Sequence, residues 1–450
     1  MLKNRMTVHR ALIRRPAWFA LLLLAAGPAA SAQIAGNPVH FTLRNGLEVI
    51  LAGDSALPNV SVALAYRVGS ADDPPGKAGL AYLMETLMFS GSANVAPLQH
   101  INTMYRIGGN FNASATEDRT IFFQTVPSHY LALVLWLESD RMRSLEITPE
   151  AFELAREDHL RELRRSRLEE PYLESRSSFD QMVFPEPALN HPLSGTEASL
   201  RGLTLEDARS FYAEDYVPNR AVLSIVGQFD RVRTRELILR YFETIPRGKD
   251  VPRVAPPPTV PFKKALPQEL RDELASTPAF FCGFRLGPAA SPDMYPLGII
   301  EYLLLKGPAA RLPRRLLNKN NKIAFQAGGG IDVRGGNAVF RLFIIVNTES
   351  LLTVCQNALA AEFDRLRRSF VSEAELVRAK RALEADTFDR HSTPTGLAFS
   401  LAEAFLSLPD FSTFPAELGR SLSVTPYDIR VVANRYFAPE NLCLVNVRTK

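Results

Sequence analysis

Cysteine is scarce: the chain has 450 residues and three cysteines, Cys282, Cys355 and Cys443, all in the second half. An odd, widely spaced set in apolar runs excludes a disulfide scaffold. It points to buried free thiols, with a single disulfide as the alternative. Histidine is scarce too, at seven residues, and His40, His100, His129, His191 and His391 show no metal-ligand spacing. His191, in Asn190-His191-Pro192, reads as a structural loop residue. An excess of one charge is missing. Lys plus Arg number 52 and Asp plus Glu 48. Residues 1–32 hold five of the basic residues and no acid, so the remainder carries 47 against 48, a net of −1. That balance gives no support to a nucleic-acid partner. Beyond residue 32, no apolar run reaches the roughly 20 residues of a membrane span. Gly69 to Lys77 lacks the spacing and hydroxyl of a phosphate loop, and no G-x-S-x-G elbow or Cys–His pair marks a nucleophile.

What is present begins with an export signal. Lys3, Arg5, Arg10, Arg14 and Arg15 precede the apolar stretch Ala17–Ala26, and Ala30-Ser31-Ala32 offers a small-residue cleavage site. Residues 1–32 therefore read as a signal peptide, and the remainder as an exported, most simply periplasmic, protein. An uncleaved anchor or a misplaced start is the alternative. Proline crowds residues 246–268, where missing amide donors resist helix and central strand. This linker separates a first domain, 33–245, from a second, 269–450. An offset of 221 pairs Thr204 with Thr425, Asp207 with Asp428 and Pro218 with Pro439. Each Thr starts a helix with an acid in its first turn and leads into a strand. The chain reads as two copies of one domain.

Asn45-Gly46 between Phe41–Leu43 and Leu47–Leu51 predicts a hairpin. Val60–Val68 and Ala338–Val346 read as strands; 79–89, 129–144 and 148–168 read as helices. Gly328-Gly329-Gly330 and Gly335-Gly336 read as bracketing a turn. Clustered strands followed by helices predict an α+β fold.

Residues 79–92 read GLAYLMETLMFSGS. Their frame is that of an H-x-x-E-H helix with both histidines replaced. Residues i and i+4 share a helix face, where two imidazoles grip one Zn²⁺ and the intervening Glu activates water. Here Tyr82 and Thr86 hold the imidazole positions and Glu85 keeps the position of the base. The lead-in from Arg67 to Ala81, the segment Gly108-Gly109-Asn110-Phe111-Asn112-Ala113-Ser114-Ala115-Thr116, and Leu135-Trp136-Leu137-Glu138-Ser139-Asp140-Arg141-Met142 surround that frame. Together they resemble the pitrilysin/insulinase-type metallopeptidases, family M16, over nearly the whole mature chain.

The resemblance implies two homologous domains, each a mostly antiparallel sheet backed by helices, closing as a clamshell around a substrate chamber. It puts Glu162 at the third metal ligand and Asn112 and Ala113 on a strand flanking the substrate. It puts Asn318 and Phe325 where the family has an Arg and a Tyr that polarise substrate, unless Arg314 or Arg315 substitutes through a shifted register. The run Arg311, Arg314, Arg315, Lys319, Lys322 otherwise reads as a solvated helix face or a contact for an acidic partner. Two carboxylates make a weak hard-ion site, and Tyr82 ligates only as phenolate. No cofactor is therefore expected, although zinc serves the active relatives. His159 with Glu162 and Glu85 would be a rebuilt ligand set; a charged, solvated helix face explains the same residues.

The reading leans away from an enzyme. It expects a non-catalytic M16-like subunit that binds peptide or unfolded polypeptide, paired with an active homologue or with itself. The alternatives are a working metalloendopeptidase with the rebuilt site and a stand-alone peptide-binding clamshell.

Overall fold

The structure, a computed structural model, describes residues 38–250, 261–262, 264, 266–317 and 323–449. The signal segment, most of the Pro-rich stretch and Asn318, Lys319 and Lys322 lie outside these residues.

Two sheets share one plan. The first holds β1 (Val39–Thr42), β2 (Glu48–Gly53), β3 (Asn59–Tyr66), β4 (Asn110–Ala115), β5 (Thr120–Pro127) and β6 (Ala221–Gly227), in the order β1-β2-β6-β3-β5-β4. The second holds β7 (Leu266–Arg271), β8 (Ala279–Pro288), β9 (Ala324–Arg334), β10 (Asn337–Val346) and β11 (Leu442–Arg448), ordered β7-β11-β8-β10-β9. Without β1 the two orders coincide strand for strand. In each sheet one pair is parallel, β2 with β6 and β7 with β11, and the other pairs are antiparallel. The α+β, two-jawed reading holds, and the predicted hairpin at Asn45-Gly46 is β1–β2, with Gly46 at φ 88°.

The repeat is visible in the caps. Thr204 and Thr425 each accept an amide bond from Asp207 and Asp428, whose carboxylates bond back to the Thr amides at 2.8 Å. Such reciprocal capping satisfies helix-end donors that otherwise have no partner. Gly328-Gly329-Gly330 correct the sequence reading: they lie inside β9. A Cβ on Gly329 would sit 2.1 Å from the Arg341 carbonyl oxygen, so glycine lets β10 approach. Gly335-Gly336 do form the β9–β10 turn.

Seven helices matter below: α1 (Leu80–Leu87), α2 (Leu131–Ser144), α3 (Pro149–Glu169), α4 (Leu173–Val183), α5 (Met294–Leu304), α6 (Glu373–His391) and α7 (Pro394–Ser407). Two of them cross between the halves. Helix α7 lays Leu397, Ala398, Leu401 and Ala402 on Ala52, Ala63, Ala65 and Val222 of the first sheet. Alanines on both surfaces bring helix and sheet close, and Ser61, Thr125 and Thr395 hydroxyls bond to one another there at 2.6–3.2 Å. Helix α4 places Phe179 and Val183 against Ala279, Phe281, Val339 and Val445 of the second sheet. Each half thus covers one face of the other's sheet.

Ion pairs add to the interlock. Arg334 contacts Glu117 at 3.2 Å and Asp180 at 3.1 Å, Asp118 accepts the Gly335 amide at 2.6 Å, and Arg119 pairs with Glu403. All three cysteines are buried and free, as expected. Arg311 is not on a solvated face: it is buried between Glu362 and Glu375, while Arg315 reaches Glu362.

Candidate functional site

Helix α1 buries Leu80, Ala81, Leu83, Met84 and Leu87. This apolar stripe fixes the helix's rotation, which turns Tyr82, Glu85 and Thr86 outward on one face. Asp73 sets the start: its carboxylate accepts the amides of Gly79 at 2.7 Å and Ala81 at 2.8 Å. The Pro74-Pro75-Gly76 turn carries it back there. Gly79 takes φ 95°, and a Cβ on it would lie 2.7 Å from the Ser194 carbonyl oxygen. Burial lifts the Asp73 carboxyl to about 6, against the pull of those two amides. His191 bonds the Ser70 carbonyl at 3.0 Å and steadies the same approach loop, in keeping with a structural role.

Helix α3 faces α1. Thr148 caps it through the Ala151 amide at 3.1 Å, with Pro149 at the first helical position. Its buried stripe is Phe152, Ala155, His159, Leu160 and Leu163. His159 is therefore not on a solvated face, which corrects that expectation. Its Nε2 meets Thr86 Oγ1 at 3.1 Å, and its ring lies 4.9 Å from the Tyr82 ring. The Tyr82 hydroxyl makes a long contact, 3.5 Å, to Glu162. Tyr82, Thr86, Glu85, His159 and Glu162 thus converge where the sequence frame places a metal.

The donor set does not fit zinc. Burial, then the charges of Glu162 and Glu85, raises the Tyr82 phenol, away from the phenolate that ligation needs. Thr86 is a neutral hydroxyl, and the one imidazole, lowered by burial, has its Nε2 engaged by that hydroxyl. Tetrahedral zinc sites take several nitrogen or sulfur ligands. Among the described residues, no group of three or more His, Cys, Asp or Glu side chains is placed to hold a metal ion.

Glu85 does something the sequence did not reveal. Its Oε2 accepts the Ala115 amide at 3.0 Å, and Ala115 lies on β4, the edge of the first sheet. Burial raises this carboxyl, opposed by the Ala115 amide and reinforced by Glu162. Two positions earlier the Ala113 amide donates to Oδ1 of the exposed Asn112 at 2.9 Å. Asn112 and Ala113 are therefore on an edge strand, and two of its amides are capped by side chains. Such capping blunts a strand edge against indiscriminate pairing. The second half repeats the device: Glu301 of α5 accepts the Ile331 amide of β9 at 3.4 Å. From Glu85 to Glu301 and from Ala115 to Ile331 the shift is 216 in both cases. The signal in the sequence is that each glutamate precedes its strand amide by 30 residues. Tyr302, one residue on, donates to Asp386 of α6 at 2.9 Å, as Thr86 bonds α3. Phe325 is exposed at the start of β9.

A family model described as insulinase, peptidase family M16, matches residues 48–183, and one described as the peptidase M16 inactive domain matches 202–383. The chain belongs to the M16 peptidase family. The wording "inactive domain" concerns residues beyond the 82–86 frame. Among M16 relatives, the Helicobacter pylori protein named zinc protease PqqE is 24% identical over 430 residues, covering 93% of this chain and 94% of that protein. Among solved structures, a protease from Helicobacter pylori superposes with a TM-score of 0.85 at 22% identity, covering 92% of this chain and all of that one. The periplasmic protease PqqL from Escherichia coli gives a TM-score of 0.73 at 18% identity, covering 91% of this chain but 47% of that chain. At these identities the structural likenesses carry the M16 fold.

Proposed function

We propose that this chain is a non-catalytic M16 subunit that holds extended peptide. The observation carrying this reading is the pairing of an intact M16 frame with a rebuilt metal position. Helix α1, Glu85 and edge strand β4 keep their arrangement, while Tyr82 and Thr86 replace the imidazoles and fasten α1 to α3. Hydrolysis needs the metal, whereas strand addition uses main-chain bonds. Phe325 has no hydroxyl to polarise a carbonyl, in line with the same loss. Glu85 is then a vestigial base with a structural bond, and Tyr82, Thr86 and Glu162 are former metal positions.

The partner in this reading is a second M16-type chain, either a complete homologue or another copy. Supporting it, this chain spans about half the length of the PqqL chain. Removal of residues 1–32 and division at the Pro-rich 246–268 segment into domains 33–245 and 269–450 belong to the reading, as does export. Among the described residues, no helix is long and apolar enough to cross a membrane.

The test is metal content with peptide cleavage. After dialysis against trace zinc the purified protein retains less than about a tenth of an equivalent, because true zinc sites bind tightly. Near-stoichiometric zinc lost in Glu162→Ala, with cleavage lost in Glu85→Gln, would establish the working peptidase instead.

A further inference from the structure

The former metal position still faces the peptide edge, and what it lacks as a zinc site it has as a site for organic cation. Two carboxylates, Glu85 on α1 and Glu162 on α3, flank it. The Tyr82 and His159 rings, 4.9 Å apart, line it, and His159 is buried with Nδ1 lacking any partner. An ammonium group is drawn both to carboxylates and to aromatic faces. Zn²⁺ needs a set of deprotonated or imidazole ligands; an ammonium needs oxygen acceptors, which this position has.

The bond from Ala115 to Glu85 couples that site to the strand edge. While Glu85 caps the Ala115 amide, an incoming peptide cannot use that donor. A cation held between Glu85 and Glu162 shares the carboxylate that caps the Ala115 amide, and so lies beside the β4 edge. We infer that the converted metal position binds a primary ammonium carried by the peptide itself, which anchors that peptide beside the β4 edge. The inference rests on the peptide-holding reading and names its substrate class: extended peptides bearing a primary ammonium, from the chain's amino terminus or from a lysine side chain.

The experiment is fluorescence anisotropy of the purified protein with short extended peptides labelled at the carboxyl end, in the presence of EDTA. One peptide has a free amino terminus and one lysine. A second is amino-acetylated, a third has norleucine for lysine, and a fourth has both changes. The expected result is affinity weaker by about tenfold when the recognised ammonium is removed, the scale of one charge-assisted bond. Loss on acetylation assigns the amino terminus; loss with norleucine assigns lysine. The double variant Glu85→Gln/Glu162→Gln, checked for an unchanged thermal midpoint, binds all four peptides alike. Equal affinity of the unsubstituted protein for the first and fourth peptides overturns the ammonium site and leaves peptide holding intact. Failure to bind any of the four overturns peptide holding and the ammonium site together.

Discussion

Arg334 offers the sharpest test of how the two halves join beside strand β4. It is 6% exposed and ion-paired to Glu117 at 3.2 Å, Asp180 at 3.1 Å and Asp332 at 2.9 Å. Its guanidinium also lies 4.6 Å from the Phe184 ring and bonds the Leu189 carbonyl at 3.1 Å. In Arg334→Met the stem keeps its packing, but three partly buried carboxylates lose the buried guanidinium they share; Arg341 still reaches Asp332 at 2.7 Å and Asp180 at 3.4 Å, and Glu117 loses its partner in Arg334. Removing one partner from a buried ionic group costs about 3–5 kcal/mol. At roughly 2 °C per kcal/mol for a chain of this size, the thermal midpoint should fall by about 6–10 °C near pH 7.

The direction with pH is fixed by linkage. Burial raises the Asp332 carboxyl, but Arg334 and Arg341 overcome it and hold the group below its ordinary value. In the native protein this stabilisation is present above the unfolded value and lost as pH falls. Burial already raises Glu117, with Arg334 opposing. Without Arg334, Glu117 and Asp332 both move upward, and groups raised in the folded state lose stability as pH rises. The variant's deficit is therefore largest near pH 7 and narrows toward about pH 5. The measurement is differential scanning calorimetry of both proteins at the two pH values, with hydrogen exchange at Glu117–Arg119 next to β4. A midpoint within about 1 °C of the unsubstituted protein at pH 7, or a deficit that widens on acidification, would refute the reasoning.

Three further outcomes are expected. Tyr82→His with Thr86→His and His159→Val should bind close to one equivalent of zinc by elemental mass spectrometry, because α1 and Glu162 keep their places; a folded triple variant without zinc would show that more than the ligands has changed. Phe179→Ala empties a fully buried site where α4 meets the second sheet, stacked on Phe281 at 5.7 Å, and should cost about 3–5 kcal/mol in denaturant unfolding. Burial lifts the Asp215 carboxyl to about 6, against the Arg220 charge. Its contribution is full below the unfolded value near 4 and lost as pH rises through 6, so Asp215→Asn should remove that decline from a stability–pH profile.

Much of the fold was legible because its signals are local. Period and capping placed α1, α3 and the two Thr-capped helices, and Asn-Gly placed the first hairpin. The changed metal frame needed only the letters at 82, 85 and 86. The Gly328–Gly330 run was misread because its glycines serve close approach of β10, which no local pattern distinguishes from a turn. His159 and Arg311 were misjudged for a related reason. A charged neighbourhood in sequence suggested solvent, and only packing against α1, or between Glu362 and Glu375, showed them buried.

The sequence by itself determined the repeat, the element types and the loss of both imidazoles, since each depends on residue identity and short spacing. Tertiary structure decided what Tyr82, Glu85 and Thr86 touch and how the halves join. Helix exchange through α4 and α7, the clasp of Thr86 on His159, and the capping of Ala115 by Glu85 bring together residues from 30 to more than 300 positions apart. Contacts of that separation are set by how two sheets and their helices pack, and no local periodicity encodes them.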